Sequence, residues 1–220
     1  MSTHAQLSPS KAHRWLACPG SIREEAKYPD TSGAAAVDGT HSHSLLEKSL
    51  IENRDPLSYI GETISDHEGD FVVDKGRATR VAIAYSHIQH RAAELDADCV
   101  ITESRVNPAG LFGRDDCSGT VDVQIRAGRH VDIIDYKDGM GIVEAEGNHQ
   151  LELYALGCLA GLKLPVNAQY PWKRIRMTII QPKLALKGMN PITSHEVPTQ
   201  AILDMIGKLV VEGQRCDDPN

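Results

Sequence analysis

Two adjacent strand-like stretches limit the folds open to this chain. Residues 119–126 alternate between apolar and polar side chains, which is the pattern of a strand with one buried face. Residues 130–137 form a second stretch, in which Ile133 and Ile134 stand side by side and indicate burial on both faces. Three residues, 127–129, separate the two stretches. They therefore predict two strands joined by a tight connection inside a sheet.

The surrounding sequence predicts helices before this pair of strands, and a helix, two strands and a last helix after it. The predicted helices are a short one begun by Ser8-Pro9 and others over about 33–52, 66–97, 148–164 and 198–215; the further strands cover 99–106, 173–181 and 192–197. This order favours an α/β fold of the mixed α+β kind. Helix 148–164 would join strands 130–137 and 173–181 in parallel through a right-handed crossover.

Length and composition predict an ordinary globular protein. A chain of 220 residues favours a single domain, with a helical N-terminal part over 1–97 and an αβ core over 98–220. The 41% of apolar residues is typical of a packed core rather than of a disordered chain. No apolar run approaches the roughly 20 residues of a membrane span, and the N-terminus has no signal-peptide pattern. We therefore expect a cytoplasmic protein with no membrane partner.

The charge and the cysteines narrow the possible functions. A net charge of −7 argues against a general nucleic-acid coat but is compatible with a nuclease, because metal sites need carboxylates. The five cysteines are scattered and form no C-x-x-C pair, so neither a disulfide framework nor a zinc ribbon is expected. Basic residues gather at two places, each of which is either a local contact surface or a solvated face: Lys11, His13 and Arg14, and Lys173, Arg174 and Arg176.

Two acids and a lysine on the paired strands carry the clearest chemical signal. Asp135 and Lys137 are two residues apart, so their side chains leave the same face of a strand. The hairpin would bring Asp122 close to Asp135, and such carboxylates repel each other unless a cation lies between them. Mg²⁺ or Mn²⁺ suits these ligands and would activate water for attack on a phosphodiester, with Lys137 stabilising charge. The alternative is a surface hairpin with an Asp–Lys pair.

Residues on two helices could complete this site. His43 lies on the apolar face of its helix, where it is either a metal ligand or a satisfied core histidine. The pair His41-x-His43 lacks a third soft ligand, so a zinc site is not expected. Gln150 and Tyr154 are one turn apart on the helix after Lys137. They either line a cleft beside the lysine or are a solvated glutamine and a half-buried tyrosine.

In their order and spacing these residues resemble the motifs of the PD-(D/E)XK nuclease superfamily, in its RecB-like and lambda-exonuclease-like branch. The matching pattern covers about residues 7–182 and runs Gly39-Thr40-x-x-His43-x-x-x-Glu47, Gly119-x-x-Asp122, Asp135-x-Lys137 and Gln150-x-x-x-Tyr154. The opening resembles a phage-associated subfamily, through Leu7-Ser8-Pro9-Ser10, Trp15 and Cys18-Pro19-Gly20-Ser21. The resemblance implies a restriction-endonuclease-like core, a central mixed β-sheet flanked by helices.

The resemblance also implies a role for each matching residue. The implied ligands of Mg²⁺ or Mn²⁺ are His43, Asp122, Asp135 and the carbonyl of Tyr136. Lys137 would be the catalytic lysine, acting with Asp122, Asp135, Gln150 and Tyr154. Glu47 and Glu103 would be supporting acids. The implied contacts to DNA phosphate are Ser8, Ser10, Lys11 and Arg14.

The activity implied by the resemblance is a Mg²⁺-dependent deoxyribonuclease, an exonuclease on double-stranded DNA ends in phage recombination. Its expected partners are DNA, a single-strand annealing protein and further copies of itself, in the host cytoplasm if a phage encodes it. Two alternatives stay open: an endonuclease or single-strand nuclease with the same site, and a non-catalytic DNA-binding recombination module. No iron–sulfur cluster is expected, because Cys18 has only Cys216 as a partner near the C-terminus.

Overall fold

A five-stranded sheet organises the residues that the computed structural model describes, 6–28 and 33–217. In chain order the helices and strands are α1 (Ala12–Trp15), α2 (Ser21–Glu25), α3 (Ala34–Glu52), β1 (Thr63–Asp66), β2 (Gly69–Val72), α4 (Lys75–Glu94), β3 (Cys99–Val106), β4 (Gly119–Ala127), β5 (His130–Tyr136), α5 (His149–Ala160), β6 (Arg174–Ile180), β7 (Ile192–Pro198), α6 (Thr199–Asp204) and α7 (Ile206–Asp217). Short 3₁₀ turns at Pro9–Lys11, Pro56–Tyr59, Ala109–Phe112 and Pro182–Lys187 connect them.

The sheet has the strand order β3-β4-β5-β6-β7 and is mixed. All neighbours are antiparallel except β5 and β6, which run parallel and are connected through α5. The predicted mixed fold, the parallel pair and the edge position of the last strand are confirmed. β5 is the central strand, and its residues from Val131 to Tyr136 are buried. The carboxyl end of β5 carries the candidate site.

Each face of the sheet buries its own apolar core. On one face α5 packs Leu151 and Leu156 against Val131 and Ile133 of β5. On the other face α3 and α4 pack against the sheet, and the apolar side chains of this core include Leu45, Leu46, Val81, Ile88, Val123, Ile125 and Ile134. Burial on both faces explains the adjacent Ile133 and Ile134 of β5, and it leaves Asp132 and Asp135 of that strand in a poorly hydrated environment.

Two predicted helices differ from the observed elements. The helix predicted over 66–97 is wrong in its first part, because the β1–β2 hairpin occupies 63–72 and α4 begins only at Lys75. Gly69, with φ +123°, allows the tight turn, and Asp74 caps α4 by accepting from the N–H of Arg77. The last predicted helix, over 198–215, is interrupted at Met205 and forms α6 and α7.

The five cysteines differ in their exposure. Cys117, Cys158 and Cys216 are buried, whereas Cys18 and Cys99 are exposed. The three buried thiols belong to the apolar core on the α5 face and act there as small apolar groups. Among the described residues, no helix has the length and apolar character needed to cross a membrane.

Candidate active site

The open end of the β4–β5 pair holds the two predicted acids. The register pairs Val123 with Ile134, and one step further it puts Asp122 opposite Asp135. Asp122 Oδ2 accepts a hydrogen bond from the Tyr136 N–H at 2.7 Å. This bond holds the Asp122 carboxylate against the backbone of Tyr136, whose carbonyl is one of the predicted ligands.

Three side chains from three elements form a cluster that could hold a metal ion. The ligand atoms of His43, Glu103 and Asp122 all lie within 4.8 Å of one another. His43 comes from α3, and its Nδ1 lies 3.4 Å from Asp122 Oδ2. Its ring also meets the ring of Tyr136 edge-on, with 5.3 Å between the centroids. Glu103, implied only as a supporting acid, is therefore as close to the metal position as the predicted ligands.

Glu103 has an unusual backbone conformation for a strand residue. The pairs Thr102–Val123 and Ser104–Val121 flank it, so Glu103 lies opposite Asp122. Its φ is +45°, in the left-handed region that residues other than glycine adopt at a cost of about 1–3 kcal/mol. Strain of this kind is common at functional sites, where the surrounding structure holds a side chain in place.

The electrostatics of Glu103 also indicate a cation site. Glu103 is exposed as a whole residue, and a carboxylate oxygen of its side chain lies within 4.8 Å of the ligand atoms of His43 and Asp122. Partial desolvation of the carboxyl group and the charge of Asp122 raise the pKa of Glu103 to about 7, while His43 acts in the opposite direction. Carboxyl groups held close together are a frequent mark of a functional site.

Asp135 faces a second group of residues rather than the His43 cluster. Gln150 Nε2 donates to Asp135 Oδ1 at 2.9 Å, and Asp135 Oδ2 lies 2.9 Å from Lys137 Nζ. Lys137 Nζ donates to Gln150 Oε1 at 3.0 Å, and Gln150 Nε2 also reaches the Tyr154 hydroxyl at 3.0 Å. Burial raises the pKa of Asp135, and the Lys137 ammonium opposes that rise. The four side chains thus form one connected unit.

The donor atoms at this end of the sheet fit a hard divalent cation. His43, Glu103 and Asp122 would offer one imidazole nitrogen and carboxylate oxygens, a set that suits Mn²⁺ or Mg²⁺. Asp135 Oδ2 is buried and, among the described residues, receives no hydrogen bond of ordinary geometry. The Lys137 ammonium lies 2.9 Å from this oxygen and offsets part of its charge.

The residues predicted to contact DNA lie in two places, some at a cleft beside Lys137 and others in ion pairs with α2. Ser10 lines a cleft of about 570 Å³ together with His13, Lys137 and Gln150, so it faces the site. Ser8 Oγ lies 3.3 Å from Ser10 Oγ. Lys11 and Arg14 both pair with Glu25 of α2, which offsets part of their charge.

The second basic group lies away from the site. In the parallel register His130 is opposite Arg174, whereas Tyr136 is opposite Ile180. Lys173 and Arg174 are therefore at the end of the sheet opposite Asp135. Arg174 pairs with Glu196 on β7 at 3.4 Å. This arrangement agrees with a solvated face rather than with a part of the candidate site.

The remaining residues of α3 have separate positions. Glu47, one turn after His43, contributes to the raised pKa of Glu103 and lines a different cleft, of about 590 Å³. His41 Nδ1 lies 2.8 Å from Asp66 Oδ2, and its ring stacks on Phe71 with a centroid distance of 4.3 Å. His41 is thus engaged with the β1–β2 hairpin and not with His43.

Sequence reasoning missed a charged network behind the site. Asp138, the residue after Lys137, is buried and bonded to Arg80 of α4 and to Ser42 of α3. Asp138 directly follows Lys137, and Ser42 directly precedes His43. These positions could have indicated that both residues lie near the site. No spacing rule points to Arg80, because its contact with Asp138 joins residues far apart in the chain.

Known proteins offer a family and two structural neighbours. A structure named "Putative exonuclease" from Eubacterium rectale has 9% identity over 96% of this chain and 81% of that chain, with a TM-score of 0.49. The structure of SSO0001 has 12% identity over 92% and 86%, with a TM-score of 0.27. Both scores lie below 0.5, so neither likeness supports an inference about this site. Residues 4–214 match the family described as "Protein of unknown function (DUF2800)", and because the match spans most of the sequence, the chain belongs to that family.

Proposed function

We propose that this protein is a metal-dependent deoxyribonuclease of the PD-(D/E)XK type. The observation that carries the proposal is the connection of Lys137, Asp135 and Gln150 beside the His43, Glu103 and Asp122 cluster. An ammonium group next to a cation site is the combination that phosphodiester hydrolysis needs. Negative charge builds up on the phosphate and must be stabilised from both sides.

Each side chain has a distinct task in this proposal. Asp122, Glu103 and His43 would hold Mg²⁺ or Mn²⁺, with Asp135 turning toward the same ion. When bound, the cation would polarise the phosphate and lower the pKa of water. Lys137, held by Gln150, would orient the attacking water and stabilise the charge that develops on the phosphate oxygens. Tyr154 would keep the Gln150 amide in the orientation that both of its partners require.

The substrate that we propose is the end of double-stranded DNA, in phage recombination. The cleft beside Lys137 lies next to Ser10 and His13, so a DNA strand could approach from the N-terminal segment. An annealing protein and further copies of this chain are proposed partners. A cytoplasmic location and the lack of an iron–sulfur cluster are predictions of the same kind.

A timed digest of end-labelled linear duplex with Mg²⁺, run beside a covalently closed circle, tests the proposal. We expect the linear duplex to shorten from its ends and the circle to persist. Lys137→Ala should reduce cleavage at least about 100-fold, because removal of one stabilising donor typically costs that much. Asp122→Ala and Asp135→Ala should do the same. Metal-dependent cleavage retained in folded Lys137→Ala would contradict this mechanism.

The same digest, with single-stranded DNA as a third substrate, separates the nuclease alternatives. Cutting of the closed circle would indicate an endonuclease, and a preference for single strands would indicate a single-strand nuclease with the same site. Absence of Mn²⁺ binding together with retained DNA binding would indicate a non-catalytic recombination module. A calorimetric titration with Mn²⁺ on the same preparation distinguishes that last case from an inactive sample.

A further inference from the structure

A buried carboxylate next to the candidate lysine joins three elements. Asp138 follows Lys137 directly, and its side chain is 1% exposed. Arg80 of α4 donates to both carboxylate oxygens, at 2.9 and 3.0 Å. Ser42 of α3 donates to Oδ2 at 2.8 Å. The carboxylate therefore fastens the end of β5 to two helices on the same face of the sheet.

Two of the residues that contact Asp138, Ser42 and Tyr136, lie directly beside His43. Ser42 precedes His43 in α3. The Tyr136 hydroxyl lies 3.5 Å from Asp138 Oδ1, and the Tyr136 ring packs edge-on against the His43 ring. The N–H of Tyr136 also holds Asp122. Asp138 thus touches the backbone neighbour of His43 on one side and its aromatic neighbour on the other.

Apolar packing alone provides few anchors for α3. The buried residues of this 19-residue helix are Ser42, Leu45, Leu46 and Ser49, and two of the four are serines. A bidentate bond between a guanidinium and a carboxylate is stronger and more directional than a neutral hydrogen bond. Asp38, one turn before Ser42, extends the anchor through Arg77 at 2.6 Å and Lys183 at 3.1 Å.

We propose that Asp138 is a positioning residue that sets the His43 imidazole beside Asp122 and thereby sets the affinity of the site for a divalent cation. The metal part of this inference rests on the proposed function. Groups behind the ligands of a metal site typically change affinity or activity 10- to 100-fold when they are mutated. His43 is the member of the cluster that does not belong to the sheet, so its position depends most on such a support.

Asp132 offers a matched control on the same strand. It is buried like Asp138, and Arg91 of α4 donates to its Oδ2 at 2.7 Å. Within 6–28 and 33–217, Asp132 receives no hydrogen bond from α3. Asp132→Asn therefore removes another buried ion pair to the same helix, without affecting the support of His43.

The experiment compares wild type, Asp138→Asn and Asp132→Asn. Mn²⁺ affinity is measured by calorimetry, and the His43 ring signals of the metal-free protein are measured by NMR, assigned with His43→Gln. We expect Asp138→Asn to weaken Mn²⁺ binding at least about tenfold and to shift the His43 signals. Asp132→Asn should leave both nearly unchanged, although its melting temperature also falls.

Ser42→Ala covers the case in which Asp138→Asn does not fold, because it keeps the Arg80–Asp138 ion pair. It should shift the His43 signals in the same direction. Unchanged His43 signals and Mn²⁺ affinity in a folded variant, or equal effects in Asp132→Asn, would overturn the inference. If wild type binds no Mn²⁺, the proposed function fails, whereas the His43 signals of the metal-free protein still decide the positioning role.

Discussion

At the scale of single residues, Gln150 shows why one amide can be more useful than a carboxylate. Its oxygen accepts from Lys137, and its nitrogen donates to Asp135 and to the Tyr154 hydroxyl. A carboxylate could accept from Lys137 but could not donate to Asp135. The glutamine therefore links a cation and an anion of the candidate site in one fixed geometry.

Gln150→Ala is expected to lower the cleavage rate about 10- to 100-fold, since hydrogen bonds to charged groups contribute about 1.5–3 kcal/mol. Single-turnover digestion of labelled duplex measures the change. Gln200→Ala is the control, because Gln200 is an exposed helical glutamine that bonds Asp204 at 2.8 Å. A rate within about twofold of wild type for Gln150→Ala would contradict the role of the amide.

The raised pKa of Glu103 makes both stability and metal binding depend on pH. Its folded value, about 7, lies above the ordinary 4.5, so the metal-free folded state holds the extra proton between these values. Stability should therefore fall as pH rises through that window. Because a cation must displace this proton, Mn²⁺ affinity should fall about tenfold per pH unit below about pH 7.

Thermal melts with EDTA and with Mn²⁺, at about pH 5.5 and pH 8, measure this linkage. The gain in melting temperature from Mn²⁺ should be larger at the higher pH. Glu103→Gln should remove most of the pH dependence, whereas Glu146→Gln, an exposed acid in the loop before α5, should keep it. Equal gains at both pH values in wild type would argue against Glu103 as a ligand.

At the scale of elements, the close approach of β4 to α5 depends on a missing side chain. A Cβ atom on Gly119 would lie 2.9 Å from Tyr154 Cε1 and 3.2 Å from Pro9. Tyr154 is buried and hydrogen-bonded to Gln150, so it cannot move away freely. The glycine of the Gly119-x-x-Asp122 pattern is therefore explained by the lack of space for a Cβ atom at this position.

Gly119→Ala is expected to destabilise the protein by about 1–3 kcal/mol, the usual cost of overpacking, and to lower cleavage by displacing Tyr154. Urea unfolding and a digest check the two effects. Gly110→Ala provides the comparison, because a Cβ atom there would meet nothing within 4 Å, and its effect should stay within about 0.5 kcal/mol. A neutral Gly119→Ala would show that the tyrosine ring adapts.

At the scale of the whole molecule, one arginine ties the C-terminal helix to the connection between β3 and β4. Arg114 forms a bidentate pair with Asp116, with both contacts at 2.7 Å. It also donates to Asp217 at 2.6 Å and to the carbonyl of Gly213 at 2.9 Å. These bonds fasten α7 to a segment about 100 residues earlier in the chain.

Arg114→Ala should lower the free energy of unfolding by about 1–3 kcal/mol, less than the loss of a fully buried pair, because Asp217 becomes hydrated. The cleavage rate of the folded variant should not change, since the described partners of Arg114 lie outside the candidate site. Arg23→Ala, on an exposed face of α2, is the control and should be neutral. Denaturant curves measure the free energies of unfolding. A slower digest by the folded variant would contradict the prediction that Arg114 acts on stability alone.

Features set by neighbouring residues could be predicted from the sequence, whereas features set by contacts between distant segments could not. The alternation in 119–126 and the adjacent Ile133 and Ile134 of β5 predicted the central hairpin correctly, because strand pattern is a property of neighbouring residues. The β1–β2 hairpin was missed because its four-residue strands are too short to show a clear period beside the long α4. The position of Glu103 opposite Asp122 needed the register of β3 against β4.

By itself, the sequence determined the chemical groups of the candidate site and their order on strands and helices. Asp122, Asp135-x-Lys137 and Gln150-x-x-x-Tyr154 could be read because side-chain direction repeats every two residues in a strand and about every four in a helix. Only the tertiary structure decided which groups meet. The left-handed Glu103 and the Arg80–Asp138–Ser42 support come from contacts between distant segments, which no local period encodes.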